Sequence, residues 1–141
     1  AKKPLKSTSL MSFKEIAVGD HSFQEKEKPI RLKDLIENPL ISLGQGSTTY
    51  EFYSKFFLEN DLVLSPDTEV ETIDQVLPLI MNGLGIGFLP ELFVRPVIEE
   101  GKVCQIPLKE NIPEREICLV ENHTFPPSIA AEMFKKMLVL K

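Results

Sequence analysis

Tryptophan is absent, and histidine, cysteine and tyrosine occur only twice each in 141 residues. That leaves little material for nucleophilic or metal chemistry. The two cysteines, Cys104 and Cys118, lack C-x-x-C spacing, so neither a zinc site nor a disulfide scaffold is indicated. Two thiols in a core-forming chain point to a reducing compartment, the cytoplasm. The histidines, His21 and His123, sit beside polar loop sequence. No thiol-activating motif accompanies them, so the cysteines read as small residues of buried strands. No apolar run approaches the roughly 20 residues that a membrane span needs. A basic excess is lacking as well: 16 Lys and Arg stand against 21 Asp and Glu, for a net charge of -5. Affinity for phosphate backbones comes largely from clustered cations, so this segment is not expected to bind nucleic acid by itself. Neither a catalytic set nor a metal or cofactor site is visible, and no enzyme is expected.

What is present is ordinary core material. Hydrophobic residues make up 43% of the chain, enough for one compact domain of this length. Segments alternate between the two periodicities. Phe13 to Gly19 looks like a strand. Arg31 to Glu37 makes a short helix with Leu32, Leu35 and Ile36 on one face, ended by Asn38-Pro39. Leu40 to Leu43 is a buried strand by its short apolar run. A helix from Ser47–Thr49 to Asn60 carries an aromatic stripe of Phe52, Tyr53, Phe56 and Phe57, best read as core because no basic groove goes with it. Val63 to Val70 is extended, and its acidic pair Asp67 and Glu69 reads as a solvated edge. Thr72 can cap a helix bearing Ile73, Val76, Leu77 and Ile80, in which Pro78 should produce a kink. Ile86 to Leu89 forms a strand, Glu91 to Glu100 a broken helix, and Val103–Ile106 and Glu116–Val120 two further strands. A last helix opens at Pro126-Pro127 and buries Ala130, Met133, Phe134 and Met137. Alternation of this kind predicts an α/β fold, a mainly parallel sheet with helices on both faces.

Ligands of such sheets bind at the carboxyl ends of the strands. The turn Leu43-Gly-Gln-Gly-Ser-Thr-Thr49 lies at one of them. Two glycines permit close approach of the backbone, and Ser47, Thr48 and Thr49 offer more hydroxyls than helix capping requires. Free N–H groups at the helix start favour an anion there. No lysine follows the glycines, so this is no nucleotide P-loop. Gly83-Leu-Gly-Ile-Gly87 runs from helix into strand, the reverse of a dinucleotide fingerprint. Gly83 is better read as a helix cap.

The order of segments carries a resemblance. Ile30-Arg-Leu-Lys-Asp-Leu35, Pro39-Leu-Ile-Ser-Leu43, the Gly/Ser/Thr turn, and Leu79-Ile-Met-Asn-Gly-Leu-Gly-Ile-Gly-Phe-Leu-Pro90 together resemble LysR-type bacterial transcription regulators. Gly101-Lys-Val and Pro113-Glu-Arg-Glu-Ile-Cys-Leu-Val120 continue the likeness, which covers residues 10 to 138. The glycine block is its most specific part. The resemblance implies a periplasmic-binding-protein type II-like effector domain, with two α/β subdomains around a cleft. Residues 10–122 would form the second subdomain, and residues 123–141 the crossover and a final helix belonging with the first. The N-terminal winged helix-turn-helix and the first half of the first subdomain have no counterpart here, so DNA is expected as a partner only through that missing domain. By the same resemblance, Gln45, Gly46, Ser47, Thr48 and Thr49, with Thr72 as a weaker match, bind a small and often anionic effector. A homo-oligomer, first of all a dimer, is expected. The alternative is a solute-binding receptor of a transport system with the same fold.

Overall fold

The computed structural model describes residues 6–23 and 28–121. The final helix, the return crossover beyond Glu121 and His123 lie outside the described residues. Where a single strand from Phe13 to Gly19 is expected, two occur: β1 (Lys6–Phe13) and β2 (Glu15–Gly19), separated at Lys14. They follow different partners. Strand β1 pairs antiparallel with β7 (Arg115–Glu121), from Lys6↔Glu121 to Phe13↔Arg115, with an irregularity between Ser9 and Met11. Strand β2 instead enters the main sheet.

That sheet is built from β3 (Ile41–Leu43), β4 (Thr68–Val70), β5 (Gly87–Pro90), β6 (Cys104–Ile106) and β2. Strands β3 and β4 pair in parallel, Leu43 opposite Val70. A parallel bridge at Leu40↔Ile86 joins β3 to β5, closed by Ile41 N–H to Ile86 O at 2.8 Å and Ile86 N–H to Pro39 O at 2.9 Å. Strand β2 lies between β5 and β6 and is antiparallel to both. The spatial order is therefore β4-β3-β5-β2-β6, parallel except for one inserted strand.

Alternation along β2 assigns the two faces. Ala17 packs with Leu32 and Leu35 of α1 (Leu32–Leu35) and with Tyr53, Phe56 and Phe57 of α2 (Thr48–Glu59). Ile16 and Val18 point the other way, to Val76 and Ile80 of α3 (Val76–Met81) and Val94 of α4 (Glu91–Glu99). Helices thus cover both faces, as the sequence pattern requires. The aromatic stripe is core at Tyr53, Phe56 and Phe57, all buried, while Phe52 stays half-buried.

Several local expectations are corrected. Pro78 produces no mid-helix break. The segment begins as a 3-10 turn at Ile73–Gln75, so α3 starts only at Val76 and Pro78 falls in its first turn. There the missing N–H has no intrahelical partner to lose. Helix α4 is continuous, with Pro96 inside it. The stretch before Thr68 is extended without pairing as a strand, and Asp67 is more than a solvated edge: its carboxylate accepts from Leu40 N–H at 2.8 Å. Cys104 is free and half-buried, not a core residue. Its strand pairs with β2, whereas Cys118 is registered against Ser9 of β1, so the cysteine strands are not neighbours.

The glycine block behaves as read. Gly83 ends α3 with φ +73°, and Gly87 packs beneath Val76 and Ile80. Gly85 is where the β3 chain passes closest, because a Cβ there would stand 2.6 Å from Pro39 O. Gly85→Ala should therefore cost more than about 2 kcal/mol of stability by forcing β3 and β5 apart. Gly46→Ala, at φ +94° with nothing within 4 Å, should cost only about 1 kcal/mol of backbone strain. Urea unfolding of both variants checks the difference; equal midpoints would mean that the β3–β5 approach is not tight.

Candidate functional site

The parallel register Leu43↔Val70 sets the turn after β3 and the turn after β4 at the same end of the sheet. This brings the segment 44–49 and Thr72 to one edge, as the strand-end rule requires. Within the turn the hydroxyls divide their tasks. Ser47 is the N-cap of α2, its Oγ accepting from Tyr50 N–H at 2.9 Å. Thr49 Oγ1 accepts from Arg115 Nη1 at 3.1 Å. Thr48 is exposed and lines an open cavity of about 600 Å³ with Ser12, Phe52, Glu114, Arg115 and Glu116. Gln45 and Gly46 are exposed at the tip of the turn, and Thr72 is exposed where its N–H donates to Gln75 Oε1 at 3.1 Å.

The same edge holds a charged cluster that sequence reading missed. Arg115, at the start of β7, donates from Nη1 to Glu15 Oε1 at 2.9 Å, with side-chain exposures of 18% and 1% respectively. Its guanidinium stands 4.8 Å from the Phe52 ring centre and 5.8 Å from that of Phe13, the arrangement of a cation held over aromatic faces. Glu15 is a buried carboxylate whose Oε2 has no hydrogen-bond partner among the described residues, and the same holds for the buried Tyr53 hydroxyl nearby. Burial raises the Glu15 pKa above its ordinary value, only partly opposed by the hydrogen bond and charge of Arg115. Burial likewise pushes the Tyr53 hydroxyl well above the ordinary tyrosine range, with the Glu15 charge adding to it. A sequence signal for Glu15 does exist: period-two alternation puts Phe13, Glu15 and Ala17 on one side of the strand, so a carboxylate occupies a core position. Nothing local marks Arg115, which lies 100 residues further along.

A second cavity, of about 490 Å³, adjoins the loop after β6 and shares Glu114 with the first; Lys14, Glu15, Glu91, Gln105 and Glu110 are among its walls. Among the described residues no group of three metal-ligating side chains comes together. No helix there is long and apolar enough to cross a membrane.

Residues 4–140 match the family model of the LysR substrate binding domain. The chain belongs to this family. A HTH-type transcriptional regulator of Bacillus subtilis, YwqM, is 29% identical over 100 residues, which are 71% of this chain and 33% of that protein. The transcriptional activator CmpR of Synechocystis is 36% identical over 64 residues, 45% of this chain and 21% of its own length. The LysR substrate-binding chain thus spans about a third or less of these two regulators. Its fold is shared by the effector binding domain of QuiR in complex with shikimate, with a TM-score of 0.69 at 19% identity, over 94% of this chain and 62% of that one. The bromide-bound regulatory domain of HypT from Salmonella typhimurium gives 0.67 at 18%, over 99% and 66%. The periplasmic-binding-protein type II-like architecture read from the sequence is therefore the architecture of this LysR domain.

A folded-state pKa above the unfolded value means that protonated Glu15 favours folding. That contribution is complete below the ordinary glutamate range and is lost as pH rises through the raised value. Melting temperatures of the wild type should fall relative to Glu15→Gln as pH rises from about 4 towards neutrality; parallel curves would show that Glu15 is not desolvated. Arg115→Met leaves the buried carboxylate uncompensated and should cost about 3–5 kcal/mol at neutral pH. The double variant Glu15→Gln with Arg115→Met should recover much of that loss in the same denaturant titration.

Proposed function

We propose that this chain is the effector-sensing part of a LysR-type transcription regulator, in which a small molecule bound at the Thr48–Arg115 edge changes how attached DNA-binding arms sit on DNA. The observation carrying this reading is the position of the cavity. It opens between the start of α2 and the β1–β7 ladder, the two strands that leave the main sheet at Lys14 and Arg115. A ligand there touches both the sheet's α2 end and the crossover strands. It can therefore favour one arrangement of the strands over another, which is the thermodynamic requirement for a ligand-driven shift.

Residues 10–122 act as the second subdomain in this reading, with 123–141 returning to the first. The DNA-reading element is a separate N-terminal helix-turn-helix. The working form is a cytoplasmic homodimer without enzymatic activity. The effector contacts are the turn Gln45 to Thr49, chiefly Thr48 and the backbone N–H groups beside it, with Thr72 at the flank. The relatives support a regulator over a transport receptor, since both that match in sequence are HTH-type transcriptional proteins. QuiR binds shikimate in its effector domain, a small hydroxylated carboxylic acid, and an effector of that general kind suits a turn of hydroxyls and free N–H groups.

The test belongs in the full-length regulator. Small metabolites are screened for a change in operator affinity, and the responder is then measured against Ser47→Ala with Thr48→Ala. Loss of the Ser47 cap should cost about 1 kcal/mol of stability, and loss of each effector hydrogen bond about 0.5–3 kcal/mol of binding, according to the charge of its partner. Effector affinity unchanged in a folded double variant would reduce the turn to a helix cap and defeat the assignment.

A further inference from the structure

We propose that Arg115 is the carboxylate anchor of this effector site, and that the site accepts a monocarboxylate and rejects polyanions. The proposal rests on the reading of the cavity as the effector site and adds its chemical class. Donor bookkeeping comes first. Nη1 is fully used, by Glu15 Oε1 and Thr49 Oγ1. Nε and Nη2 have no acceptor among the described residues, although the guanidinium is fixed between Phe13 and Phe52. A guanidinium carries five N–H donors in a rigid fork suited to carboxylate oxygens. Held on one edge by Glu15 and Thr49 and lining a cavity, Arg115 is a preorganised donor site for one such group. The exposed Thr48 hydroxyl lines the same cavity.

Charge then limits what the rest of the ligand can be. Glu15 already neutralises Arg115, and among the described residues it is the one carboxylate within ion-pair distance of it. Glu114 and Glu116 line the cavity in addition. A second or third negative charge on the ligand meets these two without compensation. Hydroxyl or ammonium groups instead find acceptors in them. The positive end of α2 favours any anion; the two glutamates make the selection between anions.

Arginine side-chain NMR on the 141-residue chain tests this directly, with the Arg115 Nε–H signal assigned by its disappearance in Arg115→Lys. The probes are benzoate and shikimate, compared with shikimate methyl ester and citrate. Both monocarboxylates should shift the Arg115 signal saturably, and the ester should not. Citrate should bind at least about five-fold more weakly at low ionic strength, where repulsion is unscreened. The exposed pair Glu114→Gln with Glu116→Gln leaves the anchor intact, keeps the fold, and should tighten citrate binding more than benzoate binding. Absence of a saturable shift with both monocarboxylates, an equal shift from the ester, or citrate binding as tightly as benzoate would each overturn the proposal. If the shifts appear but effectors leave operator affinity of the full-length protein unchanged, the anchor stands and the regulatory reading fails instead.

Discussion

Removing a carboxylate from water costs several kcal/mol unless something replaces the lost hydration. At Glu15 the replacement is Arg115, and much of the molecule's arrangement depends on that pair. Glu15 is the first residue of β2 in the main sheet, and Arg115 is the first residue of β7. Their contact spans the break at Lys14, where β1 parts from β2. Through Thr49 and Phe52 the same guanidinium also reaches the first two turns of α2. The sheet, the β1–β7 pair and the helix start are thereby tied at one point, and the open cavity lies against it.

The pair is not there as a strong stabiliser. Burial dominates the shift at Glu15, so desolvation exceeds what the ion pair and hydrogen bonds return. An apolar pair would serve stability as well or better. What a charged pair adds is direction: it works only when β7 and β2 stand at one spacing, and it keeps a guanidinium at the wall of the open cavity. Tyr53 belongs to the same compromise, since its ring fills the core against Phe88, at 4.6 Å between ring centres, while its hydroxyl stays buried without a partner among the described residues.

The insertion of β2 between β5 and β6 has a similar consequence. An antiparallel strand in the middle of a parallel sheet starts at the edge where its neighbours end. Glu15 therefore lies opposite Pro90, and Glu91 N–H donates to Lys14 O at 2.8 Å. The chain arrives at this edge along β1 and departs from it along β7. Strand ends, the α2 start and the β1–β7 pair meet at one place because of a single reversal of direction.

Local pattern was enough to establish most of the elements. The apolar run Leu40–Leu43, the Ser47 cap, the Tyr53/Phe56/Phe57 stripe and the glycine block each carry their physical cause within a few residues. That is why the helices, the two covered faces and the LysR resemblance were legible, and why the turn 44–49 was found at a strand end. The start of α3 was misjudged because a 3-10 turn and an α-helix share their first hydrophobic spacings, and Pro78 is tolerated only when the true start is known. The break at Lys14 was invisible because alternation continues through it; only the choice of pairing partner separates β1 from β2. Arg115 had no local signature at all. Its importance comes from a carboxylate 100 positions away and from a helix in between, and such proximity exists only once the sheet has been ordered. Sequence thus determined which residues make helices, strands and core. Tertiary structure alone decided which charges must share a desolvated site, because burial and Coulomb energy depend on distance in space and not along the chain.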